Sequence, residues 1–134
     1  MNWTTLVEAA DLASALGDPA LRVVDARFVM LNAAPDAGRT AYAESHIPGA
    51  VFFDIEEVSD TANPLPTMLP PAEKFASRCQ ARGLGDGSRI VVYDNSPLKS
   101  SARLWWMLGL FGAHEVAILD GGFAKWQAEG RPVE

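Results

Sequence analysis

The chain carries one cysteine in 134 residues, two histidines and no cluster of basic side chains. Each shortage closes a class of chemistry. A single thiol cannot form an internal disulfide or build a zinc site, so no metal and no cofactor is expected, and a reducing cytoplasm is the simplest compartment. His46 and His114 are far apart and in no ligand-type spacing. With 11 Lys and Arg against 17 Asp and Glu, the net charge is −6. No cationic face is left for phosphate, which argues against nucleic acid as a partner. The longest apolar stretch, Leu104 to Phe111, is far too short to cross a bilayer. Met1 to Val7 shows no basic stretch leading into an apolar run, so neither a membrane partner nor a secretory signal is expected. No internal repeat is visible.

What is present reads as one globular α/β domain spanning residues 1–134, with 49% hydrophobic and 21% charged residues. Leu21–Asp25, Arg89–Asp94 and Glu115–Asp120 are short apolar runs ending in Asp, and Ala50–Asp54 is a plausible fourth. Near-continuous apolar strands suit a central parallel sheet with helices on both faces. Helical segments alternate with them: Ala9–Leu16 before the breaker Gly17-Asp18-Pro19, Thr40–Ser45, Pro71–Arg82 capped by Gly83, Ser100–Phe111 and Gly122–Glu129. The ending Pro132-Val133-Glu134 after a helix suggests a domain boundary.

In an open parallel sheet, ligands gather outside the carboxyl ends of the strands. That rule selects the loop Asp94, Asn95, Ser96, Pro97, Leu98, Lys99, Ser100 and Ser101, where the following helix start favours an anion. It is good ground for a nucleophilic thiolate, yet the sequence supplies Asp94 and Asn95. Asp94 reads either as a general base or as a strand-end cap, and the cap is preferred; Lys99 reads as a solvated cation. Cys79 lies mid-helix, with Phe75 and Ala76 on its face at helical spacing, and reads as core. Trp105 and Trp106, in an apolar helix, read as core packing rather than a binding platform. A Ser100–His46 catalytic pair finds no nucleophile-elbow pattern. His46 reads as a helix-end residue whose ring bonds local backbone, and His114 as exposed.

Several segments resemble a known family. Ala43-Glu44-Ser45-His46-Ile47-Pro48-Gly49-Ala50 looks like the first motif of rhodanese domains, and Leu119-Asp120-Gly121-Gly122-Phe123-Ala124-Lys125-Trp126 resembles their carboxyl-terminal motif. Between them, Val51–Ile55, Ser59-Asp60, Pro64–Pro70 and Ser101–Leu108 resemble the amino-terminal domain of tandem thiosulfate and 3-mercaptopyruvate sulfurtransferases. The resemblance implies a rhodanese-like layered fold and a partner domain, a carboxyl-terminal rhodanese unit carrying the persulfide-forming cysteine. It makes Asp94 to Ser101 a silent counterpart of the active-site loop, with no catalytic residue in this chain. The parent would take sulfur from a small donor to a small acceptor. An acidic residue and a histidine proposed to assist proton transfer in mercaptopyruvate-type members match Glu56 and Thr67, and threonine cannot serve as an imidazole base. The donor therefore stays open. Arg27 has two readings, a cleft-facing cation or a structural salt bridge, with the salt bridge preferred. An isolated half is expected to expose an apolar face and to dimerise through it. A stand-alone inactive module for protein recognition is the competing reading. A cell-cycle-type phosphatase is disfavoured, because the loop lacks both the cysteine and the arginine such a site needs.

Overall fold

The computed structural model describes residues 5–27, 37–60, 62, 69–84, 89–95, 100–113 and 115–134, without the side chains of residues 56 and 57. Along them run β1 (Leu6–Val7), α1 (Ala9–Ala15), β2 (Leu21–Asp25), α2 (Ala37–Glu44), β3 (Val51–Phe52), α3 (Ile55–Val58), α4 (Ala72–Ala81), β4 (Arg89–Tyr93), α5 (Ser100–Leu110), β5 (Val116–Leu119) and α6 (Gly122–Ala128). The strands form a five-stranded sheet in the order β1-β5-β4-β2-β3, and each neighbouring pair is parallel.

Alternation along the strands builds two cores. Leu21, Val23, Val91, Tyr93, Ala117 and Leu119 point to one face, where Leu12 of α1 and Phe123 and Trp126 of α6 cover them. Val24, Ile90, Val92 and Val116 point to the other, beneath Ile55 and Val58 of α3, Phe75 and Cys79 of α4, and Leu104, Met107 and Leu108 of α5. This is the parallel sheet with helices on both faces that the apolar runs imply. α4 ends as its sequence requires. Gly83 takes φ +75° and donates its N–H to Gln80 O at 3.0 Å, and Leu84 follows with a bond to Cys79 O at 2.9 Å.

Several expectations need correction. α2 begins at Ala37, before the expected Thr40, and the expected strand over residues 50–54 shortens to Val51–Phe52. β1 and α3 were not anticipated: β1 is two residues long and exists through its pairing with β5, and α3 is a single turn. Ala76 is exposed, so the buried stripe of α4 is Phe75 and Cys79 without it. Trp106 is 48% exposed and faces away from the sheet, whereas its neighbour Trp105 is half-buried and donates its indole N–H to Val116 O at 2.9 Å. Adjacent residues on a helix point about 100° apart, and the buried face of α5 runs through Leu104, Met107 and Leu108, which leaves Trp105 at its margin and Trp106 outside it.

Candidate functional site

The sheet has one topological switch point, between β2 and β4. The connection after β2 passes through α2 on the α1/α6 side, and the connection after β4 passes through α5 on the opposite side. Loops that diverge to opposite faces leave a crevice at the strand ends, where open α/β sheets bind ligands. Residues Asp25, Ala26 and Arg27 meet Tyr93, Asp94 and Ser100 there.

Side chains of the domain itself fill this junction. Asp25 is fully buried at the end of β2, and Arg27 binds it with Nε at 2.9–3.1 Å and Nη2 at 2.6 Å. The same guanidinium donates to Ser45 O at 2.6 Å and lies over the Phe123 ring, 4.6 Å from its centroid. Tyr93 donates its hydroxyl to Asp25 at 3.1 Å and accepts Ile47 N–H at 3.2 Å. Burial, and then the Asp25 charge, push the Tyr93 phenol far above its ordinary range, so it stays a donor. Arg27 is thus a structural ion pair that ties β2 to the His46 turn and α6.

Asp94 is also committed. It is 7% exposed, and its carboxylate accepts both the backbone N–H of Ser101 at 2.9 Å and the Ser101 hydroxyl at 2.5 Å. That caps the first turn of α5. Its carbonyl accepts Phe123 N–H at 2.9 Å, pinning the start of α6. The approach depends on Gly122: at φ +63°, any Cβ placed there would lie 2.5 Å from Asp94 O. Ser100 donates its hydroxyl to Ala26 O at 2.7 Å, and His46 is occupied by Tyr42 and Glu134, so Ser100 and His46 have separate partners. Asn95 is exposed and, with Asp94 and Ser101, lines a cleft of about 440 Å3 that extends from the end of β4 over Leu6, Ile118, Ala102 and Ala124.

Ser96, Pro97, Leu98, Lys99, Thr67 and His114 lie outside the described residues, as does the side chain of Glu56, whose backbone belongs to α3. Among the described residues no group of three or more His, Cys, Asp or Glu side chains is placed to hold a metal ion, and no helix is long and apolar enough to cross a membrane. Cys79 sits on the far side of the α4–α5 core, and burial pushes its thiol up to about 11 despite the nearby Arg82. The sequence did not reveal the buried Asp25–Arg27–Tyr93 set as a unit. Its only sequence signal was the Asp-x-Arg spacing after β2.

The family model for the rhodanese-like domain matches residues 8–129. The chain is 43% identical over 129 residues to the 3-mercaptopyruvate sulfurtransferase of Escherichia coli, covering 96% of this chain and 46% of that protein. It is 43% identical over 117 residues to the thiosulfate sulfurtransferase of Bos taurus, covering 86% and 39%. Among solved structures, SseA of Escherichia coli, described as a 3-mercaptopyruvate sulfotransferase, superposes with a TM-score of 0.91 at 41% identity, over all of this chain and 50% of that one. The 3-mercaptopyruvate sulfurtransferase of Leishmania major gives 0.85 at 28% identity, covering 98% and 36%. The chain therefore spans about half the length, or less, of these relatives. A sheet built in this order, two motifs at its strand ends and a match across residues 8–129 carry one conclusion: the chain belongs to the rhodanese-like domain family.

Proposed function

We propose that this chain is the amino-terminal, non-catalytic rhodanese domain of a tandem-domain sulfurtransferase. The parent protein moves a sulfane sulfur from thiosulfate or 3-mercaptopyruvate to a thiophilic acceptor, through a cysteine persulfide outside these 134 residues. The observation that carries the reading is Asp94. It stands at the carboxyl end of β4, where a nucleophile would meet the helix start, and its Oδ2 is held by the Ser101 N–H and hydroxyl at the first turn of α5. A buried carboxylate bonded in this way has neither the atom nor the freedom to accept a sulfur.

The one thiol in the chain offers no substitute. With its pKa raised to about 11, Cys79 holds a thiolate fraction near neutrality roughly two orders of magnitude below that of an ordinary thiol. An aromatic disulfide reagent at mildly alkaline pH is expected to leave folded Cys79 essentially unmodified and to titrate one thiol once denaturant is added. For function, the chain is incubated with thiosulfate or 3-mercaptopyruvate and its intact mass is measured. No added sulfur is expected, and sulfur transfer to cyanide should stay at the rate of buffer. The product of the whole gene should take up one sulfur atom, on a cysteine beyond residue 134. Sulfur on Cys79, or turnover by this chain at the rate of the whole protein, would overturn the reading.

A further inference from the structure

Beyond α6 the chain turns back across the body of the domain. Trp126 donates its indole N–H to Pro132 O at 2.7 Å. His46 and Glu134 then exchange both backbone bonds, His46 N–H to Glu134 O at 3.0 Å and Glu134 N–H to His46 O at 2.9 Å. The Glu134 carboxylate closes on two more groups. Its Oε1 accepts Gly49 N–H at 2.9 Å and lies 3.3 Å from His46 Nε2.

His46 is held for that contact. Its ring stacks on Tyr42 with centroids 4.0 Å apart, and Nδ1 lies 2.7 Å from Tyr42 O. A carbonyl only accepts, so Nδ1 carries a proton and Nε2 is left facing Glu134; when Nε2 is protonated as well, the contact is an ion pair. In the 134-residue chain the α-carboxylate of Glu134 is part of the clasp too, since its oxygen accepts His46 N–H; among the described residues, the other charged or titratable groups around it are on known elements. Tyr42 of α2 lies against the ring, and its phenol is raised by burial, Asp25 and Glu134. Arg27 is bound to Asp25 and Ser45 O, and Arg131 and Glu129 on the returning segment pair with each other at 2.7 Å.

We infer that residues 132–134 form a strap latched to the His46–Gly49 turn by the Glu134 carboxylate, and that protonating this carboxylate unlatches it. Pro132, Val133 and Glu134 are all exposed, so their backbone bonds compete with water and hold the strap only weakly. Charge-assisted bonds to the carboxylate are the stronger ones, and losing them tips the local opening equilibrium. The Gly49 N–H and His46 hold the Glu134 carboxyl below its ordinary value of 4.5. A carboxyl lowered by folding favours the closed strap above its ordinary value, and that contribution is lost as pH falls through the lowered one.

The test follows the Gly49 amide and the Trp126 indole N–H by NMR in the 134-residue chain, as pH is lowered from about 7 to about 3, across the carboxylate range. Both signals are expected to shift together with a midpoint below 4.5, and the Trp126 indole should lose protection from exchange. The Trp105 indole, bonded to Val116 O in the opposite core, should stay in place. With the α-carboxyl amidated in both proteins so that only the side chain titrates, Glu134→Gln should abolish the acid transition at Trp126. Three results would overturn the inference. Gly49 could titrate while Trp126 does not; Trp105 could move at the same midpoint, reporting unfolding of the whole domain; or Glu134→Gln could keep the Trp126 transition.

Discussion

Asp25→Ala is expected to destabilise the domain by about 3–5 kcal/mol, the cost of removing one partner from a buried ion pair. Asp25 is fully buried and the Arg27 side chain is 9% exposed, so the guanidinium left behind has little water to turn to. Its remaining partners are one carbonyl, Ser45 O, and the faces of Phe123 and Tyr93. The Tyr93 hydroxyl loses its acceptor in the same step. Two variants separate the causes. Tyr93→Phe leaves the ion pair intact but takes one donor from Asp25 and strands Ile47 N–H, so about 1–3 kcal/mol is expected. Asp25→Ala combined with Arg27→Met removes both charges and should recover much of the loss, because an apolar replacement of a buried pair is often near neutral. Urea midpoints at unchanged m-values measure all three. A loss below about 1 kcal/mol for Asp25→Ala would mean that water reaches the junction.

That network also shows why the strand ends were only partly legible. Three strands are followed by or end in Asp, and the three carboxylates have different fates. Asp25 anchors Arg27, Asp94 caps α5 through Ser101, and Asp120 is exposed. Sequence pattern places an Asp at a strand end but does not say which cation or helix start the tertiary fold brings to it. The strands themselves were readable because burial on both faces leaves apolar runs, Val23-Val24 and Ile90-Val91-Val92 among them. β1 was not, since a two-residue strand with Leu6 59% exposed has no period to detect.

Local contacts followed the sequence more closely than distant ones. The bond between the His46 ring and Tyr42 O spans one helical turn, so a helix-end histidine predicts it. Its second partner, Glu134, comes from the far end of the chain and left no signal. Cys79 was assigned to the core from its spacing to Phe75, and it is buried there. The same spacing argument failed for Ala76, because a small side chain at the margin of a narrow apolar stripe adds too little burial to fix which way the helix rolls.

Trp126 carries the other large expected effect, because packing and tethering meet in one side chain. Its residue is fully buried in the core shared by α1, α6 and the sheet, and its indole N–H holds the returning chain at Pro132. Trp126→Ala is expected to cost about 3–5 kcal/mol, the range for emptying a buried aromatic site. Trp126→Phe keeps an aromatic ring in contact with that core but deletes the N–H, so about 1–2 kcal/mol is expected from the smaller ring and the lost bond together. The two variants differ in a second respect. Both should loosen residues 131–134, seen as faster exchange of the Glu134 and Gly49 amides, but only Trp126→Ala should lower the denaturation midpoint steeply. If Trp126→Phe proves as destabilising as Trp126→Ala, the hydrogen bond to Pro132 outweighs the packing, and the strap is a structural element of the domain rather than a segment laid over it.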